Sequence, residues 1–442
     1  MAQVIFDVTV SVGGRLGVVS SLARRFGWPR VAPGLVSFGV LASVGLADGG
    51  LFPRTWRLAT FALLAVAAAA LIARERVAIA RLEWLMLTAL LGFGAWIALS
   101  ATWSGRPSAS LLEAERTLLY VAALFAIFTL VERSSVPHLL GGALAGISVA
   151  SAYGLAIYFF TSPPLDPFEG GLLYQPLGYA NALGIFDAIG IVLAIGLAFA
   201  ARRRAACVCA LLPLLVLVPS LLLTSSRGAW LALACAAALL AFLTEGSARW
   251  RVAVGGSVAA MGVIAAAAVL THRAGADFLA NRRRYWEVAW ADYMDNPLLG
   301  SGAGTFGEYW LRHASESSFT RTAHNLYLQS LAELGPLGVA LVVAALAAPL
   351  CVLRRRDSRV AVAAAGFVAF VLHAGVDWDW EMPAVTLAGL VCGGAVLVAC
   401  RDDRVGELKA RTRLALALAS LALAITAATR LYWGGDLTLV GN

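Results

Sequence analysis

Apolar residues run through this chain in long blocks, with polar residues between them as short punctuation. Blocks long enough to cross a bilayer fall near 31–48, 58–74, 83–101, 111–131, 137–160, 179–200, 205–223, 229–244, 252–271, 334–353, 360–375, 384–400 and 413–430. The pattern predicts an all-α, polytopic integral membrane protein with about 12–13 transmembrane helices, the shorter blocks being open to a re-entrant reading. One interval breaks the rhythm: from His272 onward the chain turns polar and stays so until the blocks resume. The chain therefore divides into a tail (1–30), helices 1–9 (31–271), one large external loop of short helices (272–333), helices 10–13 (334–430) and a short tail (431–442).

Composition agrees with this and excludes other classes. Of 442 residues, 60% are hydrophobic and 14% charged, too little polar surface for a soluble protein of this length. The net charge of +8 does not point to nucleic acid, because the basic residues never interleave with an aromatic face. They follow topology instead. With the N-terminal tail placed in the cytoplasm, alternation puts 22 of the 34 lysines and arginines on the inner side, including Arg74, Arg76, Arg133, Arg202 to Arg204 and Arg401 to Arg413. The large loop then faces outward, to the periplasm or cell exterior. The six cysteines form no CxxC pair and no Cys/His cluster, which argues against both a zinc site and a disulfide framework.

Candidate chemistry gathers on the outer side. His324 lies in a stretch from Thr320 that reads as a short amphipathic helix, with Asn325, Gln329 and Glu333 on one face and a break at Gly335-Pro336. A neutral imidazole there can take a proton from a hydroxyl, or simply hydrogen-bond at headgroup level. Arg227, in TSSRGAW, sits at a very short outer turn where an arginine is costly without an anionic partner. Arg282, Arg283 and Arg284 precede an amphipathic YWEVAWADYM segment and are expected to point toward the membrane surface. Guanidinium groups suit phosphate oxygens, whether of a lipid-linked diphosphate or of phospholipid headgroups. NPLLGSGAGTF (296–306) lacks the strand and the GKS/T ending of a nucleotide loop and reads as a tight turn. Asp377 and Asp379 form a DxD, and Glu381 extends this acidic rim; such carboxylates hold a divalent metal or pair with the arginines, with Trp378 and Trp380 as interfacial anchors.

Six stretches, in order, resemble the O-antigen ligase/polymerase family of bacterial envelope glycosyltransferases: ATWSGRPSASLLEAERTLLY (101–120), LGYANALGIF (177–186), LLTSSRGAWLAL (222–233), NRRRYWEVAWADYMDNPLLGSGAGTF (281–306), AHNLYLQSLAELGPLGVAL (323–341) and HAGVDWDWEMPAV (373–385). The resemblance implies a GT-C type membrane enzyme of the bacterial cytoplasmic (inner) membrane, with its active site facing the periplasm or cell exterior. It would take a glycan from undecaprenyl diphosphate with no cofactor and no metal. His324 matches the family's histidine and would deprotonate the attacking hydroxyl, giving inversion. Arg227 and Arg282 would hold the diphosphate. Arg283 and Arg284 compete with Arg282 for that role, Arg116 and Arg321 are secondary diphosphate contacts, and Asn181 is the retained asparagine where Tyr179-Ala180 replaces the family's Asn-Pro.

The acceptor is open among a glycan, a lipid core and a protein. A transporter or flippase of the same lipid-linked glycans is the alternative class. Transporters place charges and broken helices near the bilayer midplane, whereas the polar candidates here cluster at one outer edge.

Overall fold

The computed structural model describes residues 28–161, 166, 168–244, 275–313, 319–353 and 357–433. Every predicted apolar block within them is helical; the block at 252–271 lies outside them, as do His272, most of both tails and Arg354 to Arg356. In chain order the helices are α1 (Trp28–Leu46), α2 (Pro53–Ala73), α3 (Arg81–Ser100), α4 (Pro107–Leu130), α5 (Val136–Phe160), α6 (Ala180–Ala200), α7 (Arg204–Leu211), α8 (Leu214–Thr224) and α9 (Arg227–Leu243). They continue with α10 (Gly275–Asp295), α11 (Phe306–His313), α12 (Leu326–Leu350), α13 (Ser358–His373), α14 (Pro383–Ala399) and α15 (Ala410–Trp433). Among the described residues, seven helical segments are long and apolar enough to cross a membrane, and four shorter helices are apolar as well. The protein is a multi-pass membrane protein.

Prolines set several boundaries. Pro53, Pro107 and Pro383 begin α2, α4 and α14, where a missing N–H costs nothing. Pro213 divides the block at 205–223 into α7 and α8, because proline cannot donate within a helix. α6 and α14 are buried along nearly their whole length and form the centre of the bundle, with α13 packed against both. Lipid-facing leucines such as Leu215 and Leu418 lie on the peripheral α8 and α15.

The connections segregate to two ends. At one end the loop at 74–80 meets 401–408, with Arg401 on Glu83 at 2.8 Å and Arg133 on Asp403 at 3.1 Å. At the other end, the turn at Gly49 and Gly50 approaches Leu177, Met382 and Pro383. Arg74, Arg76, Arg133 and Arg401, which the alternation assigns to one side, lie together at the first end.

The large loop has its own small core at that second end. Val288 and Ala289 of α10, Phe306, Tyr309 and Trp310 of α11, and Ala323 and Ala332 bury one another. The glycine turn between α10 and α11 is stitched to α12 by Ser301 N–H donating to the Ala332 carbonyl (3.1 Å) and Gly302 N–H to the Glu333 carbonyl (2.8 Å). Gly302, at φ 103°, lies so close to Ser104 that a β-carbon would stand 2.5 Å from it, so this turn requires glycine. α12 runs from Leu326 to Leu350 across a kink at Gly335 (φ 68°, ψ −171°). The expected break at Gly335-Pro336 is present: Gly335 leaves helical geometry and divides the part of α12 in the loop core from the part in the bundle.

Candidate active site

His324 does not lie in a helix, as the sequence suggested. It occupies a left-handed turn (φ 52°), and Asn325 follows as the N-cap of α12, its side chain accepting from Tyr327 N–H (3.0 Å) and Leu328 N–H (2.9 Å). An asparagine there competes for the orphan N–H groups of the first turn, so the helix starts after His324. A non-glycine left-handed residue costs about 1–2 kcal/mol, and this one is held in place by its neighbours. Ala323 N–H donates to Gln329 Oε1 (2.9 Å), and Leu326 N–H donates to the Ala374 carbonyl (2.8 Å). The imidazole stacks on Tyr285 of α10, with ring centres 4.8 Å apart.

The His324 Nδ1 lies 3.1 Å from the Thr322 carbonyl and 3.1 Å from the Thr322 hydroxyl. A carbonyl only accepts, so this contact assigns the proton to Nδ1 and the lone pair to Nε2. Burial pushes the imidazole down to about 4, and the nearby Arg282 adds to the shift, against Asp377 and the Thr322 bond. The ring is therefore neutral at physiological pH.

Asp377 is the hub beside it. Its Oδ2 accepts from Arg282 (2.9 Å) and Asn181 (2.7 Å); its Oδ1 accepts from the Tyr179 hydroxyl (2.9 Å) and the Trp378 N–H (2.7 Å). Asn181 also donates to the Tyr179 hydroxyl at 2.8 Å. Arg282 donates through Nε to the Val376 carbonyl (3.0 Å) and lies over the Tyr285 ring. The hub thus ties α10 to the ends of α6 and α13. Glu169 caps the same corner, accepting from Ala180 N–H at 3.4 Å, and burial pushes its carboxyl up to about 7.

A second network lies under the histidine turn. Gln329, which accepts from Ala323, donates its other end to Glu381 (3.2 Å). Glu381 faces Arg116 at 3.7 Å, and Arg116 also pairs with Glu113. Burial pushes Glu381 up to about 7 despite the pull of Arg116. Arg116 is itself buried and stands behind the turn, as a support for it.

The remaining predicted residues divide. Arg227 begins α9 directly after the N-cap Ser226, half-buried, and has no hydrogen-bond or ion-pair partner among the described residues. Arg321 is exposed beside α11, in the non-helical stretch that precedes His324. Of the three consecutive arginines only Arg282 turns inward, at 7% exposed; Arg283 is 82% exposed at its side chain and pairs with Glu287, and Arg284 also reaches toward Glu287 at 3.8 Å. One helical turn cannot aim three successive side chains at the same place.

The acidic rim is not a rim. Asp377 and Asp379 are 2% and 1% exposed, because the segment after α13 folds inward. Asp379 pairs with His373 Nδ1 at 2.9 Å, away from Arg282, so the two aspartates serve different partners. Asp377 fills its lone pairs with N–H and O–H donors, which leaves it a poor half of a metal-binding DxD. Among the described residues, no group of three or more His, Cys, Asp or Glu side chains is placed to hold a metal ion. Trp378 stacks on Tyr179 with ring centres 4.8 Å apart, and Trp380 packs against the bundle core, so neither is a free interfacial anchor.

Sequence reasoning gave no place in this arrangement to Tyr179, Tyr285, Glu169, Gln329 or His373. Only Tyr285 carried a signal, three residues C-terminal to Arg282 in an aromatic-rich segment; the others meet the site through long-range folding.

Residues 212–343, from the end of α7 into α12, match the family model for O-antigen ligase. Over that stretch the chain is similar to the O-antigen ligase family. The matched stretch is less than a third of the chain but contains Arg227, Arg282 and His324. No curated protein matches the chain. The similarity supports a membrane glycan ligase- or polymerase-type function, and the site described above lies at one end of the helical bundle.

Proposed function

We propose that this protein transfers a glycan from undecaprenyl diphosphate to an acceptor hydroxyl on the outer face of the bacterial cytoplasmic membrane. The observation that carries the reading is His324: a neutral imidazole with Nδ1 bound to the Thr322 carbonyl, Nε2 left to accept a proton, and the Arg282–Asp377 pair beside it. His324 Nε2 takes the proton of the attacking hydroxyl as its oxygen bonds to the anomeric carbon. The bond from that carbon to the diphosphate oxygen breaks, with inversion, and the electron pair leaves on undecaprenyl diphosphate. Arg227, unpaired among the described residues, binds the departing diphosphate, and Arg282 adds positive charge beside the histidine.

The reaction is proposed to run without metal. A diphosphate already bears its charge, and two arginines stabilise it without a cation. Asp377 and Asp379, turned to separate partners, support this reading. Purified protein in lipid nanodiscs, given a defined undecaprenyl-diphosphate glycan and candidate glycan, lipid-core and protein acceptors, tests both points by mass of the product. A transfer product that persists in excess chelator and disappears in His324→Ala is expected. Loss on chelation with recovery on adding Mg²⁺ or Mn²⁺ sinks the metal-free mechanism, and full activity in His324→Ala sinks the base.

A further inference from the structure

The geometry points to Asp379 and His373 as a positioning pair for Arg227, an inference that rests on the reading that Arg227 holds the departing diphosphate. His373 closes α13 and is 1% exposed; Asp379, likewise 1% exposed, receives its Nδ1 at 2.9 Å. The other edge of the imidazole lies against α9. A β-carbon on Gly228 would stand 2.8 Å from His373 Nε2 and 3.1 Å from Cδ2, closer than side chains pack. Gly228 is the second residue of α9, and Arg227 is the first. The ring therefore sets the place of the helical turn from which Arg227 projects.

With Nδ1 bound to Asp379, the ring is oriented so that its Nε2 edge lies against the first turn of α9. The turn is gripped from its other side too, since a β-carbon on Gly184 of α6 would lie 2.7 Å from the Ser226 β-carbon. Arg227 makes no bond of its own among the described residues, so its backbone is what fixes it. Neither His373 Nε2 nor Asp379 Oδ1 finds a hydrogen-bond partner among the described residues. A leucine would fill this space without leaving buried polar atoms unsatisfied, so a pair kept for packing alone is a poor solution.

Kinetics of the full-length protein in nanodiscs, with the undecaprenyl-diphosphate glycan varied, test the inference. His373→Ala and the shape-preserving Asp379→Asn are expected to raise KM for the donor about tenfold, the scale of a coupled neighbour, with a smaller change in kcat. Combining His373→Ala with Arg227→Ala should cost no more than Arg227→Ala alone. Losses that multiply in the double variant, or Asp379→Asn and His373→Ala lowering kcat alone, overturn it. Gly228→Ala should lower the melting temperature, and lower it less when His373 is already alanine; equal drops in both backgrounds also overturn it. If Arg227→Ala alone transfers glycan normally, the proposed function fails at that residue, while the Gly228/His373 melting comparison still decides the contact.

Discussion

At the basic end of the bundle, Arg74, Arg401 and Arg413 turn their guanidinium groups onto backbone carbonyls at the ends of α2 and α4. Arg413 Nε donates to the Leu71 carbonyl (3.0 Å), Arg401 to the Phe128 carbonyl (3.2 Å), and Arg74 to the Thr129 carbonyl (3.2 Å). Helix C-termini present such unsatisfied carbonyls and a negative dipole end, so each arginine closes a helix and is used up in doing so. At the opposite end, Arg282 is spent on a carboxylate that also gathers Tyr179 and Asn181, while Arg227 stands at the N-terminus of α9, where a cation has no partner in the helix. The comparison teaches that arginine count does not locate a site: what distinguishes the two ends is whether the helix termini there consume the charge.

The sharpest way to break this contrast is at the two residues with chemistry to do. His324→Ala should lower kcat about 10²–10⁴-fold and Arg227→Ala should lower kcat/KM about 10²–10³-fold, mainly through a raised donor KM, with little change in the melting curve. A melting change as large as the activity loss would make them structural. Arg401→Ala should behave oppositely. It leaves Glu83 fully buried without its 2.8 Å partner, so a loss of about 3–5 kcal/mol in stability is expected, with an unaltered donor KM in what remains folded. A donor KM raised in Arg401→Ala would merge the two ends.

Asp377→Asn and Arg282→Gln probe the site by pH. His324 is held at about 4, below its ordinary value, so the base works above that pH and is lost as pH falls through it. The acid limb of kcat/KM should lie there. Arg282 lowers the histidine and Asp377 raises it, so Arg282→Gln should move the limb up toward 6.5 and Asp377→Asn should move it down. A limb that stays put in both variants would assign it to a group other than His324. The smallest effect is expected from Arg283→Ala, less than twofold, because that side chain is exposed and its ion pair with Glu287 is worth little.

Much of the fold was legible because a bilayer demands apolar length and because proline and asparagine act locally. The twelve described helical blocks and the glycine turn at 300–304 follow from residues within a few positions of one another, whereas the helix starts at Pro53 and Pro107 lie a few residues before the blocks at 58 and 111. His324, Arg227 and Arg282 were legible as residues but not as an arrangement. The helix predicted from Thr320 failed because Asn325 caps α12 one residue too late to include His324. The resemblance favoured Arg282 over Arg283 and Arg284, and the packing of Val288 and Ala289 in the loop core is what turns its face of α10 inward.

By itself the sequence determined that the chain crosses a membrane many times, that its polar loops alternate between two ends, and that a histidine and several arginines gather at one of them. Those properties depend on composition and short spacing, which the bilayer reads directly. Only the tertiary structure decided that Asp377 binds Arg282 with Asn181 and Tyr179, that Asp379 binds His373, and that Gln329 and Glu381 brace the histidine turn. These partners lie tens to hundreds of positions apart, and buried polar groups choose among them by geometry and the cost of remaining unsatisfied, which no local pattern records.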